Sequence, residues 1–503
     1  MSQDLQEQPL TLLNADENDS WSNFFKRELK ITWQLTKNTA PVALTRFITY
    51  LSDVGVYTWV ASRAGPSFLA EIVIPLSYMD ASYWIISALF ALGINIVKVR
   101  IANNDSGVAN YFYAGTGLGV ALPVVLTLPG FFAVSYGLQL TPAAHRFGAI
   151  LTGDVICRNI EMHSRQVMIG TGHRICRVLD GAHVSLLTGI IKAGVFFGLS
   201  SYFVPDHKFT AFLASRFTAS ALKILFDSLF LMHSGRVFLR PHWREILADK
   251  KNIMINGWKI SAQIFCELTV VGSLSIYIAV SKDQLKLIAF RVASTLDGAL
   301  SPWTSGWVRG VQRMHDHTRP LENIRLSNRA FLITILSALI PVVLYVGVPR
   351  PFLSIFIQDP MILNVGENIA RLFSSGQFFY VLYAFMQSML WVLFKDSGFS
   401  MGTSIGAALF FFAVTLPLVL TATGSFDDVM GVYVAYTTVG FLSLLGRYIN
   451  RVNSDESSDA ENVGRFGLLP SSRSVPQVAH TKHITEEDLV EFLGNDSQII
   501  KLV

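Results

Sequence analysis

The sequence has 503 residues, of which 51% are hydrophobic and only 15% are charged, and its formal net charge is +4. An ordinary soluble domain has about 25% charged residues, so this composition excludes that class and predicts an all-α polytopic membrane protein. The three cysteines form no CxxC or Cys/His spacing, which argues against disulfides and structural zinc. The polar N-terminus has no cleavable signal pattern, so we expect the first span to act as the insertion signal.

Apolar stretches long enough to cross a bilayer recur twelve times along the chain. They lie at about 31–62, 66–100, 107–137, 142–168, 174–201, 208–234, 254–280, 285–311, 328–347, 362–393, 398–422 and 427–449. The second stretch is unusually long. We expect Pro75 and Asp80 to divide it into an interfacial piece and a span.

Basic residues concentrate in every second loop. This set comprises Lys98, Arg100, Arg165, Arg174, Arg177, Arg236, Arg240, Arg244, Lys250, Lys251, Arg309, Arg313, Arg319, Arg325, Arg329, Arg447 and Arg451. The loops between them have few basic residues, namely Arg63, Arg146, Lys208, Lys282 and Arg350. Because positively charged loops stay inside, this alternation predicts that both termini are cytoplasmic, and we expect a bacterial inner (plasma) membrane.

The longest basic loop divides the twelve spans into two halves of six. We therefore predict five regions: a cytoplasmic N-terminal segment at 1–29, an N-lobe at 30–234, a basic cytoplasmic inter-lobe loop at 235–252, a C-lobe at 253–450 and a mostly flexible cytoplasmic tail at 451–503. The ends of spans two and eight are faintly similar, which favours a duplicated unit related by pseudo-symmetry. Substrate sites in such transporters lie between the repeats, near the middle of the membrane.

The tail contains one segment with a structural signal. Residues 453–480 have the composition of a linker, and Thr485 to Asp488 resembles a helix-capping box. A disordered tail with a transient turn and a docking element both fit this pattern.

Glu267 lies near the middle of the apolar stretch Gly257–Val280. A charged side chain there costs about 2.5–3.5 kcal/mol on insertion scales, so it requires a task or a partner. Gln263 and Lys259 precede it at four-residue intervals, so they share one helix face with it. Two interpretations remain open: a titrating group that couples transport to an ion gradient, and a structural carboxylate paired with a cation.

Several motifs resemble the multidrug and toxin extrusion (MATE) family. Glu267 follows Gly257 by ten residues, as in span seven of that family, and Ala289-Phe290-Arg291-Val292 is similar to its Ala-x-Gln-Val element in span eight. Phe352–Phe373 looks like its connection between spans nine and ten, and Asn38–Asp53, with Pro41, is similar to its first span. The resemblance covers residues 30–450. It implies twelve transmembrane helices in two six-helix lobes, and antiport of an organic compound against H⁺ or Na⁺ without another cofactor.

The first half departs from the family pattern at three places. Val56 occupies the position of the acidic residue in span one, and Asp53 lies one turn earlier. In span five, Thr188 and Lys192 occupy the positions of the family's Asn and Asp. Span ten has no acidic residue near Tyr380.

These departures leave alternatives open for the first half. Asp53, on one helix face with Arg46 and Thr49, is either a coupling or substrate site or a structural charge partner. Lys192 either neutralises Asp53 or another carboxylate, or binds an anionic group of the substrate. With Arg46 and Arg291 also at depth, an anionic or lipid-like substrate becomes an alternative to a cationic one.

Other polar residues in the spans have simpler interpretations. Three pairs of opposite charges lie close enough in sequence for local ion pairing: Lys223 with Asp227, Asp154 with Arg158, and Arg291 with Asp297. The glycines between Gly115 and Gly119 indicate close helix packing, not a nucleotide loop. His315-Asp316-His317 is expected to be a solvated loop without a metal.

The sequence therefore predicts a transporter, not an enzyme. We expect an antiporter that exports organic, cationic or amphipathic compounds, with Glu267, Asp53, Gln263, Lys192, Arg46, Arg291 and Thr188 as candidate coupling and substrate residues. A flippase or exporter of an anionic or lipid-linked substrate is the alternative, and a receptor or scaffold acting through the tail is a third hypothesis. The expected partners are a small-molecule substrate and the lipid bilayer, with no nucleic acid, and the expected state is a monomer.

Overall fold

The computed structural model describes residues 21–63, 65–102, 107–172, 180–235, 242–280, 283–314, 320–393, 397–421 and 425–466. The helices in these ranges are α1 Trp21–Tyr50, α2 Val56–Arg63, α3 Pro66–Ala88, α4 Gly93–Ala102, α5 Val108–Leu122, α6 Leu128–Gly137, α7 Pro142–Thr171, α8 Gly181–His233, α9 Trp243–Val280, α10 Gln284–Gly298, α11 Leu300–Met314, α12 Pro320–Gly347, α13 Pro349–Leu353, α14 Pro360–Leu393, α15 Ser397–Thr421 and α16 Phe426–Phe466. π-helical turns at Leu51–Gly55 and Pro123–Thr127 join α1 to α2 and α5 to α6.

Each of the twelve predicted apolar stretches coincides with helical structure. In the described part of the chain, six segments are long and apolar enough to cross a membrane: Glu71–Ile101, Val108–Gly137, Gly181–Phe203, Phe209–His233, Leu326–Gly347 and Phe426–Val452. Their outer surfaces are apolar, as on α12, where Leu332, Leu336 and Ile340 are each about 60% exposed and follow one another at four-residue steps. Such a stripe faces lipid, so the prediction of an all-helical polytopic membrane protein is confirmed.

The second span is divided at a different place from the one expected. Helix α3 continues through Pro75 and Asp80, and the break lies at residues 89–92, before α4. Helix α9 crosses the second span at this break. Its Gly257 lies so close to Leu89 that a side chain at residue 257 would collide with the Leu89 backbone. The Arg309 guanidinium donates to the carbonyl of Ala91 in the same segment, so the groups that the break frees have partners from the other half of the chain.

Helix α8 folds back on itself. A straight helix of its 53 residues would be about 80 Å long. However, the Thr188 hydroxyl donates to Asp227 at 2.9 Å, and the rings of Phe196 and Phe212 lie 5.7 Å apart. Both contacts require the two ends of α8 to run side by side. Spans five and six are therefore the two arms of one hairpin.

The two halves of the chain contact each other reciprocally. The first span of the N-lobe packs through α1 on α11 of span eight, and the first span of the C-lobe packs through α9 on α3 of span two. At the α1–α11 contact, Gly306 lies against Ala43 and Gly310 against Thr39, so a GxxxG pair allows close antiparallel approach. Two related six-helix units would produce this exchange of contacts.

One helix in each lobe contacts most of the others. Helix α7, the fourth span, packs against α3, α4, α5 and α8, and helix α14, the tenth span, packs against α10, α11, α12 and α16. The fourth and tenth spans are equivalent positions in a six-plus-six repeat. Gly115 and Gly119 on α5 lie against His163 and Asn159 on α7, which confirms the packing interpretation of this glycine motif.

The expected loop and tail are partly helical. Helix α9 begins at Trp243, so the second part of the predicted inter-lobe loop extends the seventh span, and Arg100 of α4 pairs with Asp249 there at 2.6 Å. Helix α16 continues to Phe466, into the predicted linker. The capping box from Thr485 and the segment His315–His317 lie outside the described residues.

Candidate functional site

A cavity of about 280 Å³ lies between the two lobes. Helices α1, α3 and α7 line one side, and α9, α10, α11 and α14 line the other. Its charged and polar lining includes Arg46, Asp80, Glu267, Arg291, Arg309, Gln377, Tyr380 and Gln387. Its apolar lining includes Tyr50, Trp84, Phe290, Phe373 and Trp391. A site of this mixed lining suits an amphipathic organic molecule.

Glu267 is almost fully buried beside this cavity, and neutral groups hold its carboxylate. The Gln387 amide donates to Oε1 at 2.6 Å, and the Tyr380 hydroxyl donates to Oε2 at 3.2 Å. Ser404 approaches Oε1 at 3.5 Å and is also hydrogen-bonded to Tyr383. No cation among the described residues forms an ion pair with Glu267, so the structural pair considered for it is not formed there. A carboxylate held only by neutral donors can accept a proton without leaving a buried cation unpaired.

Gln263 lies one turn before Glu267 and connects α9 to α15. Its amide donates to the Ser400 hydroxyl at 2.9 Å, and its side chain is buried. The shared helix face predicted for Gln263 and Glu267 is therefore turned toward the C-lobe interior. Gln263 does not line the cavity described above.

Asp80 on α3 joins the two lobes electrostatically. Its Oδ2 is 3.0 Å from Nη2 of Arg291 in the C-lobe, and its Oδ1 is 2.8 Å from Nη1 of Arg158 in the N-lobe. Arg291 is thus paired across the interface. The sequence had instead suggested a pair between Arg291 and Asp297. Asp297 instead accepts from the Ser374 hydroxyl at 2.8 Å. The local pairing expected for Arg291 is wrong because six residues separate it from Asp297, so the two side chains lie on different faces of α10.

The charge network continues into the N-lobe. Asp154 on α7 lies 3.8 Å from Arg158, as its spacing predicted, and 2.7 Å from Nε of Arg216. Arg216 adds a second contact to Asp154 at 3.1 Å, which makes the pair bidentate. An alternating row of three arginines and two aspartates therefore runs from the cavity wall to the interior of the N-lobe.

Arg46 lines the cavity from α1. It donates to the Ser305 hydroxyl at 2.9 Å and approaches the Met162 sulfur at 3.9 Å. Within the described ranges no carboxylate pairs with it. Asp53, predicted on the same face, lies in the π-helical turn Leu51–Gly55, and its side chain is outside the described residues.

Lys192 and Thr188 lie away from the cavity, inside the N-lobe. The Lys192 ammonium is fully buried and contacts both oxygens of Glu161 on α7, at 3.0 and 2.8 Å. Thr188 accepts from Lys223 at 3.2 Å, and Lys223 pairs with Asp227 at 2.6 Å, as its spacing predicted. Neither residue reaches the cavity lining. The partner of Lys192 is thus a carboxylate of its own lobe, which was one of the two interpretations.

Several residues at this site were missed or misplaced from the sequence. Arg165 and Arg309 were counted among the cytoplasmic loop charges, yet both are side chains of buried helical segments near the cavity. Asp80 was expected only to end a helix. Gln387 was not singled out, although an amide in the middle of the apolar tenth span was a usable signal.

The comparisons with known proteins identify the fold. No protein-family profile matches the sequence, and no curated protein is significantly similar to it. A MATE transporter crystallised in complex with MaL6 aligns at a TM-score of 0.66 and 13% identity, over 85% of this chain and 97% of that chain. The eukaryotic MATE transporter AtDTX14 aligns at a TM-score of 0.64 and 12% identity, over 84% and 96%.

A third similar structure differs in its binding pocket. A MOP superfamily transporter from Pyrococcus furiosus, whose binding pocket is described as having reverse polarity, aligns at a TM-score of 0.65 and 14% identity, over 83% of this chain and 96% of that chain. The chain therefore has the fold of the MATE transporters. The fold that the sequence motifs implied is confirmed.

Proposed function

We propose that the protein is a divergent MATE-like secondary active transporter. It exports an organic, amphipathic compound from the cavity between its lobes in exchange for H⁺ or Na⁺. Glu267 is the group whose charge changes during the cycle. The observation that carries this proposal is a buried carboxylate beside the inter-lobe cavity, held by Gln387, Tyr380 and Ser404 and by no cation among the described residues.

The proposed coupling uses the contacts of that carboxylate. When Glu267 is ionised, the donors from Gln387 and Tyr380 stabilise its negative charge. When it accepts a proton, or when Na⁺ binds at its oxygens, the charge is neutralised in place. Neutralisation lowers the free-energy cost of keeping Glu267 in a low-dielectric environment while the lobes change position. Substrate and coupling ion exchange because they favour opposite charge states of one group beside one cavity.

The proposed movement is a rocking of one lobe against the other. The reciprocal contacts, α1 with α11 and α3 with α9, form the surface on which the lobes turn. The Asp80–Arg291 ion pair crosses that surface, so it is broken and remade as access alternates. We propose that both termini are cytoplasmic, as the distribution of basic residues predicts, that the membrane is a bacterial inner membrane and that the protein is a monomer.

A second candidate is an exporter or flippase of an anionic or lipid-linked compound. The lining of the cavity favours it, because Arg46, Arg291 and Arg309 outnumber Asp80 and Glu267. A pocket of reverse polarity is also described for the similar Pyrococcus furiosus transporter. Both candidates use the same cavity and differ in the charge of the substrate.

Transport in proteoliposomes tests the coupling. Vesicles loaded with a pH-sensitive dye, under an imposed pH or Na⁺ gradient, should show ion flux that depends on an added cationic or anionic amphiphile. Glu267→Gln should abolish this dependence while the protein remains monodisperse. Glu367→Gln is the matched control, because that carboxylate lies at the surface, where it pairs with Arg350. Unchanged coupled flux in Glu267→Gln would overturn the proposal.

A further inference from the structure

A narrow recess opens beside the main cavity, on its N-lobe side. It is lined by Arg46, Thr49, Tyr50, Tyr83, Trp84, Arg158, Met162 and Arg165. Four of these residues, Arg46, Tyr50, Trp84 and Met162, also line the large cavity, so the two spaces adjoin. Among the described residues, the lining of the recess contains three arginines and no carboxylate.

The positive charge in the recess is only partly compensated. Arg158 is neutralised by Asp80 and Asp154. In the described part of the chain, the partners of Arg46 are a hydroxyl and a sulfur, and no carboxylate pairs with Arg46 or with Arg165. Burying an unpaired ion costs several kcal/mol, so two such arginines at one place need an anion to offset that cost.

Arg165 supplies free donors at this place. It is 3% exposed, and its Nε and Nη2 groups have no hydrogen-bond partner in the described structure. A guanidinium presents such N–H groups in a planar fork that matches the oxygens of a phosphate or carboxylate. Arg46 comes from α1 and Arg165 from α7, so an anion between them would be held from two helices.

The dimensions define which part of a ligand fits. The recess has a volume of about 10 Å³, roughly enough for one water molecule, while the adjoining cavity has about 280 Å³. Only the oxygens of a headgroup can therefore enter the recess. The body of the molecule would lie among Tyr50, Trp84 and the aromatic side chains of the larger cavity.

We propose that Arg46 and Arg165 form an oxyanion-binding site that receives the phosphate or carboxylate group of the transported molecule. For its transport role this inference rests on the second candidate of the proposed function, an exporter or flippase of an anionic compound, and it names the substrate class: a compound with an acidic head and an apolar or aromatic body. The site is formed by the N-lobe, whereas the coupling carboxylate Glu267 belongs to the C-lobe. Substrate and coupling ion would thus be held from opposite sides of one cavity.

Binding without a gradient tests this site separately from coupling. The purified full-length protein in a nonionic detergent is titrated with dodecyl phosphate and with dodecyltrimethylammonium, which share one alkyl chain, and quenching of tryptophan fluorescence is followed. Wild type should bind the phosphate at least about tenfold more tightly. Arg165→Gln should weaken dodecyl phosphate binding by about 10- to 100-fold, the loss expected for hydrogen bonds to a charged group, and leave the ammonium compound unaffected or tighter.

Three variants serve as controls. Arg350→Gln removes one surface cation and should leave both affinities unchanged. Arg165→Lys retains the charge and should recover part of the phosphate affinity. If Arg165→Gln is not monodisperse, Arg46→Gln on the other helix provides the same measurement.

Competition with inorganic phosphate distinguishes the two sources of such a headgroup. Displacement of dodecyl phosphate by inorganic phosphate would identify a soluble oxyanion, and its failure would identify a lipid-like amphiphile. Equal binding of the two dodecyl compounds, or unchanged phosphate affinity in both Arg→Gln variants, would overturn the site. The two proposals can fail separately. Unchanged phosphate affinity in the Arg→Gln variants would overturn the anion site alone. Unchanged coupled flux in Glu267→Gln would overturn the coupling role alone.

Discussion

The two central helices of the lobes, α7 and α14, occupy equivalent positions but have different chemistry. On α7, Asp154, Arg158, Glu161 and Arg165 follow one another at three- or four-residue steps. On α14, Gln377, Tyr380, Tyr383 and Gln387 have the same kind of spacing without any formal charge. The N-lobe is thus organised around fixed ion pairs, whereas the C-lobe surrounds Glu267 with neutral donors.

This difference determines where charge can change. Neutralising Glu161 would break a fully buried ion pair with Lys192. Neutralising Glu267 leaves only amide and hydroxyl groups behind. Protonation of Glu267 would therefore break no ion pair among the described residues, whereas protonation of Glu161 would break one. The contrast can be tested by making the same substitution in both lobes.

Glu161→Gln should have the largest effect. It neutralises the Glu161 carboxylate that contacts the buried Lys192 ammonium, and breaking a buried pair from one side costs about 3–5 kcal/mol. Denaturation in detergent should show that loss in the free energy of unfolding. Glu367→Gln, at the exposed pair with Arg350, should change it by less than about 1 kcal/mol. Equal effects of the two variants would show that the N-lobe pair is not buried as described.

Asp80→Asn should shift the balance between the lobes. Arg291 would lose its carboxylate partner across the interface, and Arg158 would lose one of the two aspartates that it contacts. We expect a shift of about 1–3 kcal/mol in the conformational equilibrium. Spin labels at Tyr202 and Val348, which are 76% and 55% exposed, would report it as a changed distance distribution. An identical distance distribution in wild type and Asp80→Asn would show that the Asp80–Arg291 ion pair does not influence the conformational equilibrium.

Ser400→Ala should have a small effect that is confined to stability. It removes the acceptor of the Gln263 amide, a neutral hydrogen bond, so the free energy of unfolding should fall by about 1 kcal/mol. Coupled ion flux should remain, because Gln263 does not line the cavity. A loss of coupling with stability intact would instead assign Gln263 to the transport machinery.

Glu267→Gln should change stability least. The glutamine carbonyl can still accept from the Gln387 amide, and its NH₂ group can donate to the Tyr380 hydroxyl oxygen, so the free energy of unfolding should stay within about 0.5 kcal/mol of wild type. The same Glu→Gln change would then be severe at residue 161 and mild at residue 267. A large destabilisation at 267, measured under the same denaturing conditions, would mean that a structural role dominates there.

The sequence predicted the positions of the helices better than the hydrogen-bond and ion-pair partners of the polar side chains. Apolar length located the spans, and the cost of a charge in the membrane identified Glu267. The partners of Glu267 could not be predicted, because Gln387 is 120 residues away along the chain and its orientation depends on how α14 packs within the C-lobe. Arg165 and Arg309 were read as loop charges because the ends of spans are poorly defined by hydropathy. Only the packed helices show that these side chains are turned inward.

Infrared difference spectroscopy tests the central claim most directly, because it observes the carboxyl group itself. Wild-type protein in lipid, titrated between acidic and basic pH, should gain and lose the carbonyl stretch of a protonated carboxylic acid. Subtracting the Glu267→Gln spectrum from the wild-type spectrum should leave such a band, and Asp297→Asn, which removes another buried C-lobe carboxylate, should retain the same Glu267 contribution. A titration that is the same in wild type and Glu267→Gln would contradict the assignment of Glu267 as the group that exchanges its proton.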